Sequence, residues 1–300
     1  MDSPFINVFL FSFFWAVQIF VSKLAFIKGA EVIPFTVQSG LVASVMITLY
    51  IFTFKRNKLK ELLGPFLALL IFASAVHNGL GGVFSNAGIS LTTAINAAFL
   101  IQFSTVTTTL LAWILLKEKM TTSKIITILT IMIGTLFLIT KGKLTEPHVG
   151  DLLILLGCLS WSTGNVLVRK ILKNHKIDSD LVSFLRPISG LPILFGAIWI
   201  SPIFPTATKI LFQKNLLDIH LFIYVFFNSL FAVLLWIFLN RTLKIASASY
   251  MTMMSSLTPV LVALMAIVFL KESLEPIQWF GVFLIIISGF TTQILKIEKH

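Results

Sequence analysis

Ten apolar runs, each near the length of a bilayer crossing, limit what this chain can fold into. They cover residues 5–24, 33–54, 65–89, 93–116, 125–140, 150–168, 181–200, 219–239, 246–270 and 277–295, with short charged, Pro or Gly breaks between them. Crossing the hydrocarbon of a membrane takes about 20 helical residues. Inside it every backbone amide needs an internal partner, which only helices and closed barrels supply, and uninterrupted runs of this length select helices. The thinnest boundary separates the third and fourth runs, where Ser90 and Thr92 are the only polar break. Two runs of about 25 residues each still require two crossings there. Charged residues make up 12% of the chain and mean hydropathy is +0.98. Soluble domains carry about 25% charge, so a water-soluble globule and a disordered chain are both excluded. The breaks leave no room for a soluble domain of ordinary size.

The formal charge of +11 would suggest a polyanionic partner in a soluble protein. Here it has another origin. With the N-terminus in the cytoplasm, inner segments hold 15 of the 23 Lys and Arg, outer segments hold 7, and Arg186 falls within span seven. Positive-inside bias then predicts a multi-pass protein of the cytoplasmic (cell) membrane with both termini cytoplasmic, and no nucleic-acid partner. Residues 1–4 lack a basic n-region, so the first run reads as a membrane helix. The one cysteine, Cys158, lies in an apolar run and reads as a small core residue, with no disulfide, metal site or cofactor expected.

Sliding the chain against itself by 154 residues aligns Leu116-Lys117-Glu118 with Leu270-Lys271-Glu272 and Asn86 with Asn240. With a small gap, Trp15 to Lys23 falls on Trp161 to Arg169. The expected fold is therefore an all-α polytopic membrane protein with ten transmembrane helices in two five-helix repeats, residues 1–146 and 147–300. An odd number of helices per repeat forces the second to insert upside down. Inverted repeats are an architecture of secondary transporters, with the substrate near the midplane where the halves meet.

These residues resemble the drug/metabolite transporter superfamily, specifically its ten-helix EamA-type members. The resemblance rests on Phe14-Trp15-Ala16 to Lys23, on its partner Ser160-Trp161-Ser162 to Arg169, and on the two apolar-helix, Lys-Glu, apolar-helix units at 115–134 and 269–289. It implies a non-enzymatic carrier of a small molecule working by alternating access, with a cavity lined by spans one to four and six to nine. Export of amino acids or related metabolites is the first choice of function. Import or exchange of a nucleotide-derived or cofactor-like metabolite is the alternative. Where the family often has Arg in the second helix of a repeat and Pro in the fourth, Arg186 and Pro259 fit the second half. Gln38 and Thr105 occupy the first-half places.

Polar residues inside the spans are the substrate-site candidates. All twelve acidic residues fall in loops or at helix ends, so carboxylate-based proton coupling is not expected, and uniport or exchange is. Arg186 has two readings, contact with an anionic or carboxylate-bearing substrate or a structural, snorkelled role. Pro187 beside it removes a backbone donor and favours a kink. His77 is either a proton or substrate contact or a neutral group bonded to a neighbouring helix. Trp15 and Trp161, both at mid-depth, are either aromatic walls of a site or filling of the bundle centre. Gln18, Gln38, Asn96, Gln102 and Asn165 supply uncharged donors and acceptors for cargo or for helix association. Gly81 and Gly82 in span three, and Pro259 in span nine, are hinge candidates whose plainer reading is close packing or a static kink. The motifs of serine, aspartyl or metal-dependent intramembrane proteases are missing, and so is a channel filter or charged ring. A homodimer is left open.

Overall fold

A computed structural model describes residues 3–30, 32–91, 100–141, 149–200, 218–270 and 273–294. The described residues are helical with short connections. In chain order the α-helices are α1 (Pro4–Ile27), α2 (Val32–Phe54), α3 (Leu67–Ala75), α4 (Gly81–Leu91), α5 (Phe103–Leu116), α6 (Thr122–Thr140), α7 (Val149–Asn174), α8 (Ser179–Ile200), α9 (Ile219–Ile245), α10 (Ala248–Ser255), α11 (Leu257–Leu270) and α12 (Pro276–Ile294). Among them, seven helical stretches are long and apolar enough to cross a membrane, and 103–116 and 276–292 are shorter apolar helices.

Three apolar runs depart from a plain helix. Run three is α3 and α4 joined through a π-helical turn, Val76–Leu80, which carries His77 and Asn78. The beginning of run four lies outside the described residues, and a turn at Gln102 precedes α5. Run nine breaks at Ser256 between α10 and α11. Pro259 explains that break: it has no N–H, and its ring clashes with the carbonyl four residues back, so it suits the first turn of a new helix. Gln102 and Ser256 are 154 positions apart, and so are both ends of α6 and α12.

Helix ends follow local chemistry. Thr121, Ser247 and Asp218 cap α6, α10 and α9 by accepting from backbone N–H groups at 3.3, 3.1 and 2.8 Å. Gly29, at φ +91°, ends α1 where a side chain would be strained.

The packing partners form a pattern. α1 lies along α9, as α4 lies along α7; α1 meets α11, as α7 meets α5; and α2 meets α9, as α8 meets α3. α6 packs on α12, and α2 on α8. Large apolar side chains remain exposed on the outer surfaces, among them Val45, Leu49 and Phe52 of α2, Ile126 and Leu129 of α6, and Phe283 and Phe290 of α12. Such a surface is suited to lipid.

Small residues set the α7 contact with α3 and α4. A Cβ at Gly164 would stand 2.5 Å from His77 Cβ and 2.6 Å from the Ala73 carbonyl, and one at Gly88 would stand 2.8 Å from the Gly150 carbonyl. A Cβ at Gly157 would be 3.2 Å from the Ser85 nitrogen. The small-residue face expected for span three is thus a close helix interface. Gly164→Ala should lower the melting temperature in detergent by several degrees, as overpacking costs about 1–3 kcal/mol. An unchanged transition would show that the interface is loose.

Candidate functional site

Three helices, α7, α8 and α9, meet at Arg186, the one charge that the sequence places inside a span. Its side chain is 0% exposed. The Nε donates to Asn240 Oδ1 of α9 at 3.1 Å, and Nη2 donates to the same oxygen at 2.9 Å and to Asn165 Oδ1 of α7 at 3.0 Å. Asn240 is itself fixed, because its Nδ2 donates to Ser183 Oγ at 2.9 Å, one turn before Arg186. The Ser183 hydroxyl lies 3.0 Å from the Trp236 carbonyl. Two amide oxygens can orient a guanidinium but cannot neutralise it.

The described residues place no carboxylate within ion-pair reach of Arg186, and its Nη1 is buried without a hydrogen-bond partner. A buried charge of this kind costs about 3 kcal/mol even on membrane-insertion scales, which count hydration and snorkelling. Snorkelling does not apply to a guanidinium out of reach of solvent. Nε and Nη2 are taken up by the two asparagines, so the donors left over are the N–H bonds of Nη1, which can meet one oxygen of an anion.

The π turn faces the same region. Gly164, next to Asn165, seats against His77, and Gly190, one turn beyond Arg186 on α8, seats against Asn78, whose Cβ would be 2.8 Å from an added Cβ. His77 Nδ1 and Asn78 Oδ1 are 2.6 Å apart, which makes that ring nitrogen the donor. Trp161, one turn before Asn165, lies over Gly81 so closely that an added Cβ would collide with its indole. Arg186, Asn165, His77 and Trp161 therefore belong to one neighbourhood. Pro187 sits inside an unbroken α8, and Gly82 has only ordinary contact with Leu194.

Other candidates lie elsewhere. Trp15 packs on Phe11, ring centroids 5.4 Å apart, in the main core, whereas Trp161 belongs to a separate cluster with Ile154, Cys158, Leu100 and Ile101. Gln18 Nε2 is 3.4 Å from Asn228 Oδ1, and Asn228 donates to the Gln18 carbonyl and to Ser22, so Gln18 joins α1 to α9. Gln102 is buried at the turn before α5. Gln38 is 1% exposed, with both amide atoms unpartnered. Asn96 lies outside the described residues. Among the described residues no group of His, Cys, Asp or Glu could hold a metal ion.

A second polar group lies at one end of the bundle. Asp180, 1% exposed, accepts from Arg241 Nε and Nη2 at 2.9 and 2.8 Å and from Tyr50 at 2.9 Å, with Lys55 at 3.4 Å. Asp178 accepts from Lys55 and Lys58 at 2.9 and 2.6 Å, and Lys244 donates to the Ile177 carbonyl. Around them is a cavity of about 390 Å³ lined by Asn7, Lys55, Asp178, Asp180, Arg241 and Lys244 among others. At the same end Glu118 accepts from the Ala248 amide and the Ser249 hydroxyl at 3.0 and 2.6 Å, so the first Lys-Glu motif caps α10. The described acidic residues lie in connections or at helix ends, as the sequence indicated. The difference is that Glu118, Asp178 and Asp180 are buried, because basic and hydroxyl partners surround them.

Burial alone would raise the Asp178 carboxyl, but Lys58, Lys55 and the Asp180 amide hold it well below the usual carboxylate range. Burial would lower Lys55, and Asp178 and Asp180 raise it instead. The Asp178 contribution to stability is therefore present above its unfolded value near pH 4 and lost as pH falls toward its depressed folded value; that of Lys55 is present below about pH 10.4 and lost above it. Melting temperature should fall on acidification below about pH 4 less steeply in Asp178→Asn than in wild type. Parallel acid limbs would remove Asp178 from the account.

The chain has relatives among known proteins. The model of the EamA-like transporter family matches twice, over residues 3–140 and 148–292. An uncharacterized transporter of Bacillus subtilis strain 168, YyaM, is 25% identical over 275 residues, 87% of this chain and 84% of that protein. An uncharacterized transporter of Archaeoglobus fulgidus is 25% identical over 218 residues, 72% of this chain and 66% of that protein. A solved crystal structure superposes with a TM-score of 0.78 at 14% identity, covering 98% of both chains, which is a likeness of fold. With two matches that together span nearly all of its length, this multi-pass membrane protein belongs to the EamA-like transporter family.

Proposed function

We propose that this protein is a secondary transporter that moves a small carboxylate-bearing metabolite across the cytoplasmic membrane by alternating access, exporting amino acids or related compounds. The observation that carries the reading is Arg186, buried, oriented by Asn165 and Asn240, and left with Nη1 unpartnered. The two-repeat reading, residues 1–146 and 147–300 with the second inverted, draws support from the 154-residue spacing of the breaks and of α6 and α12. It also fits the exchange of packing partners between halves. The end bearing Lys55, Arg241 and Lys244 is the cytoplasmic one on charge grounds.

The test is a thermal-shift screen of purified protein against amino acids, other organic anions and nucleotides. Stabilisation by carboxylates that is lost in Arg186→Met supports the reading. Stabilisation by nucleotides alone would move the assignment to a nucleotide-derived metabolite, and carboxylate binding that survives Arg186→Met would refute the role of Arg186. Transport is uniport or exchange: uptake into proteoliposomes that rises strongly with an imposed pH gradient, and falls with a protonophore, would overturn that coupling.

A further inference from the structure

Arg186 is not the only buried group of the spans left without a partner. Gln38 of α2 is 1% exposed, and neither its Nε2 nor its Oε1 meets a hydrogen-bond partner. The adjacent Ser39 hydroxyl is also unpartnered, although the Ser39 carbonyl accepts from Ser229 of α9 at 2.9 Å. A primary amide enclosed among helices with all its hydrogen-bonding capacity unused is unfavourable, and an apolar side chain of the same size would fit without that cost.

The helix register fixes where Gln38 lies relative to Arg186. α2 and α8 are antiparallel: Tyr50 meets Asp180 at one end, and a Cβ at Gly40 would touch Leu191 further along. From that crossing Gln38 is two residues toward the end opposite the ionic cluster, and Arg186 is five residues toward the cluster. At 1.5 Å per residue the two are about 10 Å apart along the bundle. Counting along α9, from Ser229 beside Ser39 to Asn240 beside Arg186, gives about 16 Å.

We propose that Gln38 is the second recognition point for the substrate whose carboxylate Arg186 holds, which makes that substrate elongated, with an uncharged group at its far end that both donates and accepts hydrogen bonds. This rests on the proposed role of Arg186. A primary amide offers one acceptor and two donors, so it is fully used only by a partner with both functions, such as an amide or a hydroxyl. An apolar end leaves the Gln38 amide unpaired, a far carboxylate uses only its Nε2 donors, and a far ammonium uses only its Oε1 acceptor. The site accordingly selects by length and by the neutrality of the distal group.

The experiment measures affinity by thermal shift and by flux competition with two matched pairs: glutamine against norleucine, and adipamate against heptanoate. Each pair differs in exchanging a terminal amide for an apolar end. In wild type the amide member of at least one pair should bind roughly two- to tenfold more tightly, which is the scale of one net hydrogen bond. Gln38→Met should remove that preference while the apolar-ended carboxylate binds as before, and it should raise the melting temperature of the ligand-free protein by relieving the unpartnered amide. No amide preference in wild type, or equal weakening of both members in Gln38→Met, overturns the proposal. So does a fall in ligand-free melting temperature, which would mark Gln38 as structural. If apolar-ended carboxylates bind in an Arg186-dependent way without discrimination, only the role of Gln38 fails. If no carboxylate binds, the reading of Arg186 fails as well.

Discussion

Arg186→Ala should lower flux of a carboxylate substrate by roughly 30- to 4000-fold, the range expected when one partner of a buried charge pair that costs about 2–5 kcal/mol is removed. Folding should survive, since the mutation deletes a charge that no carboxylate compensates. What it leaves behind are the Oδ1 atoms of Asn165 and Asn240, of which Asn240 keeps its bond to Ser183. Arg186→Lys separates charge from geometry. The ammonium keeps the charge but cannot reach Asn165, Asn240 and a substrate in one plane, so intermediate flux is expected. Comparable expression, a monodisperse elution profile and lost uptake in proteoliposomes make up the expected result. Wild-type flux in Arg186→Ala would end the assignment.

Parts of this site were legible in the sequence because hydrocarbon makes them rare. An Arg within an apolar run has few reasons to exist, and the structure finds it buried and held. Pro259 reads as a kink or hinge within one continuous run, and the structure interrupts the helix one turn earlier, at Ser256. The partner Asn240 was visible as half of the Asn86 and Asn240 match, but an Asn in a membrane helix gives no sign of whether it joins helices or orients another side chain. Trp15 and Trp161 show a different limit. Sequence position within a span gives depth, and depth is silent about azimuth, so two residues at one level ended in separate clusters. The π turn at Val76–Leu80 had no composition of its own, because an extra residue in a helix is selected by packing on both sides, here Gly164 and Gly190. The buried carboxylates were hidden for the same reason. Asp178 and Asp180 look like solvated loop residues until Lys55, Lys58 and Arg241 arrive from other helices.

Those carboxylates carry the last prediction, which concerns access to the site. Under the proposed alternating-access mechanism this end must open and close, and groups that join different helices hold it shut. Asp180 joins α8 to α2 and α9 through Tyr50, Lys55 and Arg241. Asp180→Ala should therefore weaken closure by roughly 2 to 4 kcal/mol, below the 3–5 kcal/mol of a fully buried pair because Arg241 keeps part of its surface in solvent. Ser12 of α1 offers the reporter: it is 0% exposed and five residues deeper than Asn7, which lines the cavity beside the ionic cluster. With Cys158 replaced by Ala, a Ser12→Cys protein should resist maleimide in an otherwise wild-type background. Adding Asp180→Ala should accelerate labelling by at least about tenfold, since population of an open state rises tenfold for every 1.4 kcal/mol. A substrate that binds the open state should then bind more tightly, as less free energy is spent in reaching it. Unchanged labelling with an unchanged melting temperature would show that the cluster does not hold the end closed.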